Sequence, residues 1–261
     1  PFEARFNHGA VAADHAAASE AGAEMLRRGG NAVDAAVATS FTLSVVRPES
    51  CGIGGGGFMV IHLSGGSPIR GSGGVRGGPL NTAINYREMA PAAVGPDFFE
   101  KLDSTSSTHG GKAVGVPGTV AGLLYALDHY GTLDRKTVLA PAIRAAEQGF
   151  RADAHYITEV RDVVKDFTKH PEFRTRFAFV WEHSLHEGRV EVGDRIFIPG
   201  QAQTLRAIAE QGPSAFYEGP IADAIVEAIH RDGGPMTGAD LKAFKVAEVE
   251  PLRFTFMDRV F

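Results

Sequence analysis

Cysteine occurs once in the 261 residues, at Cys51. A single thiol excludes an internal disulfide framework and cannot build a metal site alone, and it decides neither for nor against export. Long hydrophobic runs are also missing. A helix needs roughly 20 consecutive apolar residues to span a bilayer, and the most apolar region, AVDAAVATSFTLSVV, is interrupted by Asp34, Thr39, Ser40 and Thr42. Nor is there an excess of positive charge: the net charge is −5, with Lys and Arg scattered along the chain, so nothing forms an electrostatic footprint for nucleic acid. Local catalytic signatures are absent too, with no G-x-S-x-G, S-x-x-K, H-E-x-x-H or C-x-x-C. Pro1 follows no initiator Met and opens no signal-peptide pattern, so it reads as a cut or processed end.

Glycine, by contrast, is abundant. In CGIGGGGFMV, starting at Cys51, Gly52, Gly54 and Gly57 match G-x-G-x-x-G, a spacing that lets a backbone approach a pyrophosphate. The flanking sequence argues against that use. DHAAASEAGAEMLRRGG is Ala-rich, with Ala21, Met25 and Leu26 at helical spacing, and NAVDAAVATSFTLSVVRP follows as a buried helix, N-capped by Asn31 and stopped by Pro48. After the glycines, FMVIHL reads as a strand. A dinucleotide or P-loop site needs strand, glycine loop, then helix, with an acidic residue about 20 positions on in the dinucleotide case. Here the order is helix, loop, strand, and no acid stands between Leu63 and Leu80. The run Gly52, Gly54, Gly55, Gly56, Gly57 is therefore expected to serve close backbone packing or positive φ where the chain enters a sheet.

Residues 64–80 carry seven glycines with Ser and Pro and no apolar period, which suggests a loop or hairpin tip. NTAINYREMAP reads as a short strand through Ile84 and Tyr86, with Arg87 at its end. PGTVAGLLYALDHYG is helical up to Gly131, and RKTVLAPAIRAAEQGF is a second helix expected to break or restart at Pro141. Residues 152–198 show little period, and DRIFIPG looks like a short strand. QAQTLRAIAEQG, PIADAIVEAIHRDGG and TGADLKAFK are further helices, the last with Thr237 and Asp240 as a capping box. EPLRFTFMDRVF is strand-like to its end at Phe261, as expected of a piece of a longer protein. No internal repeat is apparent.

Few residues stand out chemically. His183 and His186 in WEHSLHEG share a helical spacing but lack a third ligand, so a solvated turn is favoured over a metal site. Cys51 has no assignable base and reads as a small buried hydrophobe. Arg87 is the best candidate: its planar fork suits a substrate carboxylate, and the bland alternative is an ion pair with a neighbouring Glu.

The blocks HAAASEAGAEMLRRGGNAVDAAVATSFTLSVVRPESCGIGGGGFMVI, YREMAP, GVPGTVAGLLYALDHYGTL, LAPAIRAAEQGF and GPSAFYEGPIADAIVEAI, in that order over almost the entire chain, resemble the large-subunit portion of the γ-glutamyltranspeptidases. The resemblance implies an α+β fold of the N-terminal nucleophile hydrolase type, an αββα four-layer sandwich, to which residues 1–261 contribute the large-subunit part. It also implies a precursor that cleaves itself, a nucleophilic Thr at the new N-terminus of the small subunit, and that residue's own α-amine as base. The implied substrates are γ-glutamyl compounds such as glutathione, with water or an amino-acid or peptide acceptor, and the implied location is periplasmic or extracellular. Arg87 matches the family's grip on the γ-glutamyl α-carboxylate, and the glycine run matches a structural junction.

Two departures accompany the resemblance. The nucleophile, the oxyanion donors and most substrate contacts lie beyond this chain, so no catalytic residue is assigned within it, and no cofactor or metal is implied. The glycine-rich 64–80 stretch looks longer than the family's hairpin. A cephalosporin acylase-type amidohydrolase taking a glutaryl group, and a non-catalytic fragment or pseudoenzyme, are the rival readings.

Overall fold

The computed structural model describes residues 6–65, 78–100, 102–103 and 105–260; most of the glycine-rich stretch, 66–77, thus lies outside the described residues. Helix α1 (Ala16–Arg27) starts at His15, whose ring nitrogen accepts from the Ala17 N–H at 3.1 Å. Helix α2 (Ala32–Val46) follows after a tight turn and is buried on nearly every side. Its start is a capping box: Asn31 Oδ1 accepts from the Val33 and Asp34 N–H groups, and Asp34 accepts from the Asn31 N–H at 2.7 Å.

Asp34 does more than cap. Its fully buried carboxylate also accepts from the Thr132 N–H, the Thr132 hydroxyl (2.6 Å) and the Leu133 N–H (3.0 Å), while Asn31 Nδ2 donates to the Tyr130 carbonyl. These bonds tie the start of α2 to the turn between α3 (Thr119–Tyr130) and α4 (Arg135–Gln148). A buried carboxylate is tolerated only when hydrogen-bonded, and the donors here are mostly backbone groups that the turn would otherwise leave without partners.

Strands β1 (Phe58–Leu63) and β2 (Leu80–Asn85) form an antiparallel pair with Val60 opposite Ala83. Beyond them β3 (Phe150–Arg151) follows α4, and α5 (Ala154–Lys169), α6 (Phe173–Arg176) and α7 (Ala178–His183) fill the middle of the chain. Strand β4 (Arg195–Ile196) pairs with β3, and α8 (Gln201–Gln211), α9 (Ser214–Tyr217), α10 (Gly219–Arg231) and α11 (Gly238–Ala243) come next. Strand β5 (Ala247–Val249) adds to β2 and gives the sheet order β1-β2-β5. Strands β6 (Thr255–Phe256) and β7 (Arg259–Val260) make a final hairpin.

Helices cover one face of the main sheet. Ile61, Leu63, Thr82 and Ile84 point into the core, whereas Phe58 and Val60 are 62% and 73% exposed on the opposite face. Strand β5 is latched to the helical layer by Glu248, which accepts hydroxyls from Thr82 (2.6 Å), Tyr125 (2.7 Å) and Tyr130.

Four sequence expectations need correction. Helix α4 runs unbroken through Pro141: that residue is buried, and the helix packs between α2 and α8, contacts that offset the one backbone bond a proline removes. The middle region contains α5, capped by Asp153, with Tyr156, Val160 and Phe167 buried at helical spacing. The last segment is a hairpin turning at Met257 and Asp258, both at positive φ. Strand β2 begins at Leu80 and ends at Asn85, one residue short of Tyr86.

The buried Arg47 guanidinium follows α2 and forms a two-pronged pair with Asp153 (2.6 and 3.3 Å) plus a contact to Asp14 at 3.2 Å. Hydrogen bonds from Arg47 hold the Asp153 carboxyl below the usual carboxylate range. Stability from a carboxylate depressed in this way is fully present above its unfolded value of about 3.9 and is lost as pH falls through the folded value. The Asp153→Asn variant is thus expected to lose less of its urea midpoint than the parent between about pH 5 and 2, as followed by circular dichroism; an unchanged acid slope would contradict this. For Asp34→Ala we expect a loss of roughly 3 kcal/mol or more, because several buried donors are stranded at once; a loss under about 1 kcal/mol would contradict the tether.

Candidate functional site

The glycine loop and the segment after β2 meet at one end of the sheet. Tyr86 and Gly57 exchange backbone hydrogen bonds (3.0 and 3.3 Å), which carries the β1–β2 ladder one pair further. Approach here is close. A Cβ on Gly56 would lie 2.6 Å from the Tyr86 carbonyl oxygen and 2.7 Å from the Glu88 nitrogen, and one on Gly57 would touch the Tyr86 ring at 3.0 Å. Gly52, Gly54 and Gly55 have no such crowding, and none of the five lies at positive φ.

Gly55 contributes its carbonyl, which accepts from the Gly118 and Thr119 N–H groups at 2.8 and 2.9 Å. The loop thereby satisfies otherwise unpaired donors at the start of α3. Tyr86 wedges beneath that helix, where a side chain on Gly122 would come within 2.1 Å of its ring, and burial pushes its phenol up. Just before the loop, both carboxyl oxygens of Glu49 are buried without a hydrogen-bond partner among the described residues, and burial raises this group above the usual range.

Arg87 emerges from this junction. Its N–H donates to Asn85 Oδ1 at 3.0 Å, and beyond it Met89 pairs with Val116 while the Ala92 N–H donates to Asp240 at 2.8 Å. That last bond, followed by the Thr237 hydroxyl, holds the Asp240 carboxyl below the usual range. The backbone is thus fixed on both sides of Arg87 while its side chain stays 66% exposed. Its Nε lies 3.6 Å from Glu88, and its guanidinium sits 5.9 Å from the Phe58 ring centre. The pair with Glu88 is loose and solvated, of a kind that contributes little to stability, and it leaves the guanidinium fork able to take a carboxylate.

Two cavities flank the segment and share Glu88. One, of about 220 Å³, is lined by Ser40, Cys51, Gly55, Glu88 and Thr119 among others; the other, of about 370 Å³, by Arg87, Glu88, Met89, Phe99, Lys112 and Val114 among others. The sequence reading weighed a neighbouring Glu only as an ion-pair partner of Arg87, and Glu88 is that partner; Lys112, which lines the second cavity from a segment distant in the chain, was not singled out.

The remaining candidates do not converge. His183 ends α7 against Phe179, and His186 stands 3.5 Å from Asp194. Among the described residues no group of three or more His, Cys, Asp or Glu is arranged to hold a metal ion. Cys51 accepts a long hydrogen bond from Ser50 at 3.6 Å.

A family model described as Gamma-glutamyltranspeptidase matches residues 18–261. The glutathione hydrolase proenzyme of Escherichia coli K12 is 36% identical over 253 residues, covering 95% of this chain and 40% of that protein. The chain thus spans about two fifths of the length of such relatives. A crystal structure of Helicobacter pylori γ-glutamyltranspeptidase superposes with a TM-score of 0.85 at 31% identity, covering all of this chain and 70% of that one. A cephalosporin acylase from Bacillus halodurans superposes with a TM-score of 0.77 at 27% identity, covering 98% of this chain and 47% of that one. With the match running through the glycine junction, the Arg87 segment and every helix from α2 onward, this α+β chain belongs to the γ-glutamyltranspeptidase family and carries its N-terminal nucleophile hydrolase fold.

Proposed function

We propose that this chain is the large-subunit part of a self-processing γ-glutamyltranspeptidase that acts on γ-glutamyl amides such as glutathione, and that Arg87 grips the substrate α-carboxylate. The observation that carries the reading is the exposed Arg87 fork, held on a fixed backbone at the end of the sheet in a chain of this family. Two parallel N–H···O bonds from a guanidinium orient a carboxylate as well as bind it.

In the complete protein, the hydroxyl of the small subunit's N-terminal Thr attacks the γ-glutamyl carbonyl, and its α-amine takes the hydroxyl proton. The amine then returns the proton to the departing amine, which leaves an ester on the Thr. Water or an acceptor amine opens that ester, releasing glutamate or a new γ-glutamyl compound. This chain contributes orientation, and a substrate held in register gains much of its rate that way.

The partner is the remainder of the same precursor. What supports this is the uncovered sheet face, where Phe58, Val60 and Val249 stand open, in a chain matching only 40% of a proenzyme relative. Apolar sheet faces normally pack against a second layer. The proposed location is periplasmic or extracellular, and no described helix is long and apolar enough to cross a membrane.

In the complete protein, Arg87→Ala is expected to lower kcat/KM for γ-glutamyl-p-nitroanilide by about a hundredfold or more, as for loss of a charge-assisted bidentate contact, with Arg87→Lys in between. An unchanged rate would remove Arg87 from the site. A faster reaction on the glutaryl analogue than on the γ-glutamyl one would favour the acylase reading instead.

A further inference from the structure

Phe58 opens β1 on the exposed face of the sheet, and the ladder fixes where its ring stands. Phe58 pairs with Asn85, and the Gly57–Tyr86 exchange carries the same register one step further, so the next pair sets Gly56 opposite Arg87. Side chains two positions apart along a strand share a face. Asn85 and Arg87 accordingly lie exposed on the same side as Phe58, while Tyr86 between them is buried.

The residue opposite Arg87 has no side chain. A Cβ on Gly56 would lie 3.0 Å from the Arg87 carbonyl carbon, so the close approach at this pair leaves Phe58 as the diagonal neighbour of Arg87 across the ladder. Diagonal positions of an antiparallel pair are within reach of an aromatic ring and a long side chain. The guanidinium carbon of Arg87 sits over the Phe58 ring, 5.9 Å from its centre, inside the range at which a ring face attracts a cation. Asn85, directly across from Phe58, accepts from the Arg87 N–H at 3.0 Å, and Glu88 approaches the guanidinium at Nε.

Resting on the reading of Arg87 above, we infer that Phe58 is a positioning residue, whose ring face holds the Arg87 guanidinium over the end of the sheet where a substrate carboxylate is to be met. It acts through Arg87 rather than on the substrate. A long, exposed side chain loses rotamer freedom when it grips a ligand, and a ring that restricts it beforehand reduces that loss.

The test is a double-mutant cycle on Phe58 and Arg87 in the complete, processed protein, reading kcat/KM for γ-glutamyl-p-nitroanilide. Phe58→Leu keeps an apolar side chain without the ring and is expected to lower kcat/KM by about fivefold, the scale of a cation–π contact at an exposed site. Phe58→Tyr keeps the ring face and is expected to hold the parent value. In the Arg87→Ala background Phe58→Leu is expected to make no further difference, whereas a merely structural role for the ring would lower both backgrounds alike. Phe58→Met replaces Phe58→Leu in the cycle if the latter does not process into two polypeptides. A ring-less variant with the parent value, a Phe58→Tyr variant as slow as the ring-less one, or an equal loss with and without Arg87 overturns the inference. Failure of both ring-less variants to process also overturns it, because Phe58 then serves folding. An Arg87→Ala variant with the parent value overturns it through the underlying reading of Arg87 rather than through Phe58.

Discussion

The chain's architecture hangs on one buried carboxylate. Asp34 sits at the start of the core helix α2 and accepts hydrogen bonds from its own cap and from the turn that joins α3 to α4. Three helices are thereby fixed in angle and register around a point without solvent. Small residues make room for it: a side chain on Gly131 would meet Asp34 Oδ1 at 2.7 Å, and one on Gly30 its Cβ at 3.0 Å. Because α3 is placed by this tether at its C-terminal end and by the Gly55 carbonyl at its N-terminal end, the surface on which Tyr86 rests is defined before any substrate is considered.

From that surface Arg87 follows by short steps. Tyr86 lies between the glycine loop and α3, and neither Gly56 nor Gly122 leaves space for a side chain at the contact. Arg87 comes next in the chain and turns outward. The glycines act on Arg87 at one remove: they let the backbone of the loop lie against Tyr86 and Glu88, and so set where the guanidinium emerges. No phosphate is needed to explain them.

Much of this was legible in the sequence, where the signal was local. Asn31 and Thr237 announced their caps, Pro48 and Gly131 their stops, and FMVIHL its strand, because each depends on residues within one turn or one ladder step. The position of Arg87 just past a strand end was legible too, and the structure leaves its side chain exposed there. What was not legible depended on distant contacts. Pro141 passes through a continuous helix because α2 and α8 pack on either side; β5 exists only because β2 offers it an edge and Glu248 a latch. Helix α5 was within reach, since Tyr156, Val160 and Phe167 follow a helical period after the Asp153 cap, but the surrounding charges masked the stripe.

The central claim is that this chain is one part of a molecule that cuts itself to create its nucleophile, and that claim is open to a direct measurement. Intact mass spectrometry with N-terminal sequencing of the purified complete protein should find two polypeptides, one containing residues 1–261 and the other beginning with Thr. A complete protein that remains a single uncut chain, or a second polypeptide that begins with a residue bearing no hydroxyl or thiol, would contradict the account.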